Sequence, residues 1–166
     1  FKKESPATGW LDMNEVICDL AVFLRDEAAR RGVTLRTDLA PGLPRVIGDR
    51  IQLQQVVLNL VVNGMDAMAA TSATGGLSKE LRIASRKNGA AEILILVEDS
   101  GSGLSAEIAG KIFNPFFTTK PQGIGMGLAI SRSIIESHRG RLWAEPAPSG
   151  GAVFQFTIPA GSENES

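Results

Sequence analysis

Ile51–Ala69 reads IQLQQVVLNLVVNGMDAMA, and the fold turns on how this stretch is read. Nearly every residue in it is apolar or small. The exceptions include Gln52, Gln55, Asn59, Asn63 and Asp66, spaced three, four, four and three apart. That spacing stacks five polar side chains on one face of an α-helix. The other faces carry Leu53, Val56, Leu58, Leu60, Val61, Met65 and Met68, so most of the helix must be buried. A buried helix does not keep amides and a carboxylate on one line for stability, because unpaired polar groups cost free energy there. The stripe is therefore expected to line a cavity that holds something polar. Side-chain carbonyls and a carboxylate are hard oxygen donors, which suit a metal-bound anion. The competing reading is the solvated edge of a surface helix. It ranks second because Gly-rich segments further along supply what an anion site needs.

The 166 residues amount to about one domain, large enough for a real core. A net charge of −1 and a pI near 5.9 provide no global basic field, so nucleic acid is not an expected partner. The single cysteine, Cys18, excludes an intrachain disulfide and points to a reducing, cytoplasmic setting. No apolar run is long enough to span a membrane and no signal-peptide pattern is present. A membrane anchor elsewhere in a longer protein stays open. Residues 1–9 are polar, with Pro6 and Gly9, and read as a linker. Residues 10–160 form the expected domain, and 161–166 a disordered polar tail.

Asp12 with Glu15 makes a capping box for a first helix, and Leu11 with Val16 a hydrophobic staple. Val16, Ile17, Leu20, Phe23 and Leu24 form its expected apolar face. Cys18 is expected to be a core residue there. Arg30 and Arg31 suit the helix's negative end, and Gly32 stops it. Val33 to Leu39 alternates like a half-buried strand, and Arg45 to Gly48 is a short one. Asp49 caps the striped helix, with Gln52 closing the box. Leu81 to Arg86 and Ala91 to Val97 are strands joined at Asn88-Gly89, a two-residue hairpin signal. Ile93 to Val97 is continuously apolar and belongs in the centre of a sheet. A single helical turn is expected after Ser105. A helix follows from Met126 to His138, then strands over Arg141–Glu145 and Ala152–Ile158. In the last strand, Ala152, Phe154, Phe156 and Ile158 share one face. The expected architecture is an α/β two-layer sandwich, with a mixed, mostly antiparallel sheet covered on one face by three helices.

Asp99-Ser100-Gly101-Ser102-Gly103 ends the central strand. An acid followed by two glycines lets backbone approach a flat ligand while the carboxylate accepts a hydrogen bond, as from adenine's exocyclic amine. An Asp-rich turn after a strand is the common alternative. Gly123-Ile124-Gly125-Met126-Gly127-Leu128 opens a helix. Bare glycine N–H groups and the helix N-terminus together suit phosphate. The pattern is neither a P-loop nor the dinucleotide fingerprint. Between the two lies Phe113-Asn114-Pro115-Phe116-Phe117-Thr118-Thr119-Lys120, three phenylalanines in a polar loop, as in a lid with its own anchor. Lys120 can reach a terminal phosphate as a point charge.

The order and spacing of these segments resemble a known family. QVVLNLVVNGMDAM (Gln55–Met68) resembles the Asn-bearing box of sensor histidine kinases. DSGSGL, NPFFTTK and GIGMGL resemble their first glycine box, phenylalanine box and second glycine box. The resemblance runs over roughly residues 10 to 160. It implies the catalytic ATP-binding domain of the gyrase/chaperone/kinase/MutL superfamily, with a Bergerat-type fold. It implies ATP and Mg²⁺ as ligands. Asn63 would coordinate the metal, and Asn59 would contact the phosphates. Asp99 would bind the adenine amine, with Gly101 and Gly103 shaping its pocket and Thr157 holding adenine through water. Gly123, Gly125, Gly127 and Leu128 would form the backbone cradle, and Thr119 and Lys120 the mobile lid. Three departures from the pattern are mild: Gly64 for an alanine, Ser102 for a proline, and Arg139 where glycine is common.

Related ATPases carry a glutamate at the place of Asn59 to activate water. An amide is not a general base at neutral pH, so slow hydrolysis is expected and the γ-phosphoryl should pass to an external acceptor. Such transfer needs mainly positioning and charge neutralisation, which assigns catalytic roles to Asn59 and Lys120. The implied partners are a histidine-bearing dimerisation domain of the same protein and a response regulator receiver domain. The full-length protein would be a homodimer and this stretch alone a monomer. His138, the only histidine, reads as a helix-end residue capping carbonyls rather than as the acceptor. Trp10 and Trp143 read as packing residues. Two alternatives stay open: a nucleotide-binding conformational switch, and a serine kinase of the anti-sigma type.

Overall fold

The computed structural model describes residues 8–69, 79–101, 111–114, 127–148 and 150–161. Within them the chain runs β1 (Thr8–Leu11), α1 (Met13–Arg30), β2 (Val33–Leu39), β3 (Val46–Asp49) and α2 (Arg50–Ala69). It continues through β4 (Lys79–Asn88), β5 (Glu92–Asp99), α3 (Gly127–Ser137), β6 (Arg141–Pro146) and β7 (Ala152–Pro159). The turn expected after Ser105 lies outside the described residues.

Capping aspartates open the first two helices. Asp12 Oδ1 accepts from the Asn14 N–H at 3.0 Å, one residue short of the expected Glu15. Asp49 Oδ1 accepts from the N–H groups of Ile51 and Gln52, at 3.0 and 3.2 Å. The return arm of that box is taken elsewhere: the Asp49 N–H donates to His138 Nε2 at 3.1 Å, not to Gln52. Helix α1 buries Met13, Val16, Ile17, Ala21, Leu24 and Ala28. Phe23 lies off the line 17, 21, 24, 28 and is 73% exposed, and Cys18 is exposed too, which corrects their expected places in the core.

Five strands pair in the order β2-β4-β5-β7-β6, with β2 parallel to β4 and the other pairs antiparallel. The apolar strand β5 takes the centre. A separate antiparallel pair joins β1 to β3, so Thr8 and Gly9, read as linker, lie in a strand. The β4–β5 hairpin closes through Gly89, Ala90 and Ala91, since Asn88 pairs with Glu92. The loop therefore has three residues where two were expected, and Gly89 takes the positive φ it needs, 67°.

Alternation decides which side of the sheet meets the helices. Ile93, Ile95 and Val97 face that side with Phe154, Phe156 and Ile158, forming one core with the buried stripes of α1 and α2. Helix α2 lies centrally and buries Leu53, Val56, Val57, Leu60, Val61, Met65 and Met68, each side chain contributing about 1.5–3 kcal/mol of transfer free energy. Arg50–Asp19 and Arg31–Asp66 ion pairs set α1 parallel to α2. Contacts of Asn59 with Ser131 and of Asp49 with His138 set α3 antiparallel to it. The three helices and the sheet make the expected two-layer sandwich.

Candidate functional site

Strand β5 ends on a carboxylate held inside the protein. Asp99 is 3% exposed. Its Oδ1 accepts from the Gly101 N–H at 2.8 Å, and the Ala152 N–H is a second donor. Burial pushes its carboxyl above the ordinary range; the two N–H groups pull against this, and neighbouring Glu98 adds to the rise. A carboxylate offers about four acceptor positions, so two backbone bonds leave capacity for a donor on a ligand.

Three glycines let backbone close on this group. A Cβ on Gly151 would stand 1.8 Å from the Asp99 carbonyl oxygen. A Cβ on Gly101 would stand 2.9 Å from Asp99 Oδ1 and 3.0 Å from the Ala67 backbone. A Cβ on Gly64 would collide with the Leu81 side chain at 2.5 Å and would touch Asp99 Cβ at 3.4 Å, an ordinary contact. The turn of α2 over Gly64–Ala67 thus abuts the strand end. Gly64 and Gly151 were not singled out as site residues from the sequence. A glycine inside a helix, which costs about 1 kcal/mol relative to alanine, was the available signal for the first.

One turn before Gly64, the same helix reaches α3. Asn59 Nδ2 donates to Ser131 Oγ at 3.1 Å and to the Gly127 carbonyl at 3.4 Å. The carbonyl partner fixes which end of the amide is nitrogen and leaves Oδ1 for another donor or a cation. Ser131 is fully buried and was missed; it stands four residues after Gly127, on the same face of α3. Asn63 is half-buried between these two junctions, and Leu128 packs against the core. Phe113 is buried edge-on against Phe154, ring centres 6.2 Å apart, with the Arg132 guanidinium 5.7 Å over its face.

The stripe of α2 does not act as one line. Gln52 and Gln55 are exposed. Asp66 turns to Arg31, which holds it at 2.9 Å while also bonding Glu27, so α1 claims that carboxylate. Thr157 corrects a further expectation. Asp99 ends the strand beside Ala152, whereas Thr157 pairs with Leu94, five residues along β7 and on the opposite face of the sheet. It does not meet Asp99. Gly103, Thr119, Lys120, Gly123 and Gly125 lie outside the described residues.

Asn59, Asn63, Asp99, Gly101 and Gly127 are therefore gathered around the C-terminal half of α2. Among the described residues, no three His, Cys, Asp or Glu side chains cluster as metal ligands. A cation here would rest on an amide oxygen and on a ligand's own anionic groups, a donor set that Mg²⁺ accepts. A separate hollow of about 470 Å³ lies at the far end of the helices, lined by residues including Ile47, Gly48, Gln52, His138 and Ala160. No helix among the described residues is long and apolar enough to cross a membrane.

A family model described as histidine kinase-, DNA gyrase B-, and HSP90-like ATPase matches residues 48–162. The chain is 37% identical over 160 residues to the sensor histidine kinase TmoS of Ectopseudomonas mendocina, covering 96% of this chain and 16% of that protein. It is 45% identical over 137 residues to the sensor protein FixL of Bradyrhizobium diazoefficiens, covering 82% of this chain and 26% of that one. It thus spans about a quarter or less of the length of these two relatives. The solved catalytic domain of histidine kinase ThkA superposes with a TM-score of 0.79 at 32% identity, covering 92% of this chain and 95% of that one.

Proposed function

Because the chain belongs to the family of histidine kinase-, DNA gyrase B- and HSP90-like ATPases, with the fold of a histidine kinase catalytic domain, we propose that it binds MgATP and presents the γ-phosphoryl group to a histidine on a separate dimerisation domain. The observation that carries this reading is the convergence on α2. One turn of that helix is bonded to the first residue of α3, and the next presses on a buried strand-end carboxylate.

In this reading Asp99 accepts a hydrogen bond from the adenine amine, and Gly101 keeps the pocket floor open to a flat ring. Asn59 contacts the phosphates through Oδ1, its Nδ2 being spent on α3. Asn63 supplies an amide oxygen to the metal. A Mg²⁺ held there would supply positive charge to offset that of the phosphates. Gly123, Gly125, Gly127 and Leu128 frame the phosphates with backbone N–H groups, and Thr119 and Lys120 close over them. Asn59 offers no carboxylate to activate water, so the phosphoryl group waits for an acceptor. A response regulator would receive it next. The solved complex of ThkA with response regulator TrrA shows such a pairing for that kinase.

Calorimetry with ADP and a non-hydrolysable ATP analogue tests binding. Asn63→Ala should weaken the analogue several-fold with Mg²⁺ present and little in chelator; an equal loss in both removes the metal role. Radiolabelled ATP with a histidine-bearing hairpin in trans tests transfer. Acid-labile label on the hairpin is expected. Label on serine would favour the anti-sigma type, and tight binding without transfer a conformational switch.

A further inference from the structure

The far hollow contains a group that the proposed nucleotide site does not use. His138 follows the last turn of α3 and is half-buried. Its Nε2 lies 3.1 Å from the Asp49 backbone nitrogen and its Nδ1 2.7 Å from the Ile134 carbonyl oxygen. A backbone N–H can only donate, so Nε2 is the bare, accepting nitrogen. A carbonyl can only accept, so Nδ1 carries the hydrogen. The neutral Nδ1–H tautomer is therefore dictated by two backbone groups. The ring occupies space left by a missing side chain: a Cβ on Gly48 would come within 2.8 Å of its Cδ2.

Asp49 is also the residue whose carboxylate caps α2. His138 thus ties the C-terminal end of α3 to the N-terminal end of α2. Asn59 ties the same two helices at the opposite end of α3, through Ser131 and Gly127. Two pins, one at each end, set the register between the helix bearing the asparagines and the helix opening on glycine.

We propose that His138 is a pH-sensitive positioning residue: neutral, it pins α3 to the start of α2, and protonated, it lets that end go. Protonation places a hydrogen on Nε2 facing the Asp49 N–H, and two donors cannot bond. Histidine is the side chain whose unperturbed titration falls between pH 5 and 8. The charges around the ring are mixed. On one side stand the carbonyl end of α3 and the Asp49 carboxylate. On the other stand the N-terminal end of α2, Arg50 and the adjacent Arg139. Arg50 is paired with Asp19, and two residues before His138, Glu136 is paired with Arg132. From β1 and the end of β7, Thr8, Pro159, Ala160 and Gly161 bring no titratable group. With the far pin released, Gly127 shifts relative to Asn59 and nucleotide affinity falls; this consequence rests on the nucleotide reading, whereas the pin itself does not.

Nitrogen-15 NMR of the 166-residue chain from pH 8 to pH 5 reads the pin directly. Nε2 should be the bare nitrogen at pH 8. The Asp49 amide should exchange with solvent at least about tenfold faster, beyond the intrinsic pH dependence, in step with ring protonation. A bare Nδ1 at pH 8, a ring neutral to pH 5, or an Asp49 amide indifferent to the titration would each overturn the proposal. His138→Gln supplies the second arm, because a carboxamide oxygen can accept from Asp49 without titrating. ADP affinity of the wild type relative to this variant should be near one at pH 8 and fall several-fold by pH 5.5, with the acid effect at Asp99 common to both. A ratio constant with pH overturns the coupling to the site. Absence of ADP binding in both proteins at pH 8 sinks the nucleotide reading instead, and amide exchange then judges the pin alone.

Discussion

Asp99 is the residue on which the proposed recognition of the base depends, and its burial has two consequences of opposite sign. Its carboxyl is raised by desolvation, so the folded chain holds the proton more tightly than the unfolded chain. Between the ordinary carboxylate range and the raised value, folded protein binds more protons, and stability falls as pH rises through that window. Nucleotide binding runs the other way. The adenine amine needs the carboxylate, so affinity should drop as pH falls through the raised value, sooner than for an ordinary aspartate. Asp99→Asn should remove both dependences. It keeps the shape, and circular dichroism should stay native, while ADP affinity falls about 10–100-fold, as for a lost hydrogen bond to a charged group. Unchanged affinity in calorimetry would remove Asp99 from the site.

The end of α3 is the element whose sequence departs most from what its geometry asks. Arg139 has φ 65°, a left-handed conformation that costs a residue with a Cβ about 1–2 kcal/mol. Glycine there would relieve this and return part of the gain as unfolded-chain entropy. Arg139→Gly should therefore stabilise by about 0.5–1 kcal/mol, read as a higher denaturant midpoint at unchanged slope. The next residue cannot be exchanged so lightly. The Gly140 N–H reaches the Ile135 carbonyl at 2.9 Å, and a Cβ at this position would stand 1.8 Å from the Thr157 carbonyl oxygen. Gly140→Ala should destabilise by about 3 kcal/mol or more, because backbone must move. Helix α2 shows the reverse relation of sequence to geometry. Its five-residue polar stripe is continuous on paper, yet solvent, α3 and α1 divide it among them.

At the scale of the whole molecule, a single core on one side of the sheet holds α2 against β5, and so holds the asparagines near the strand-end acid. Phe156, fully buried beside Ile95, is at its middle. Phe156→Ala should cost about 3–5 kcal/mol, seen as a large drop in thermal midpoint. The continuous apolar run of β5, the period of two in β7, the polar line through α2 and the caps at Asp12 and Asp49 were legible beforehand, because each depends on neighbours within a few residues. The expected layers and the central place of β5 follow from them. The assignment of Thr157 failed because strand register is a long-range property: one count along β7 turns a side chain to the other face and five carry it away from Asp99. Phe23 and Cys18 came out exposed because a helix's buried line depends on where the neighbouring helix lies. Residue order alone determined the helices and strands other than β1, and that polar groups would sit on a mostly buried helix, since local periodicity and capping are properties of adjacent residues; β1 exists only through its pairing with β3. Only the tertiary structure decided which partner each polar group meets. Asp66 goes to Arg31, Asn59 to Ser131, and the Asp49 amide to His138, because those pairings join residues from 35 to 89 positions apart and exist only once the helices are packed.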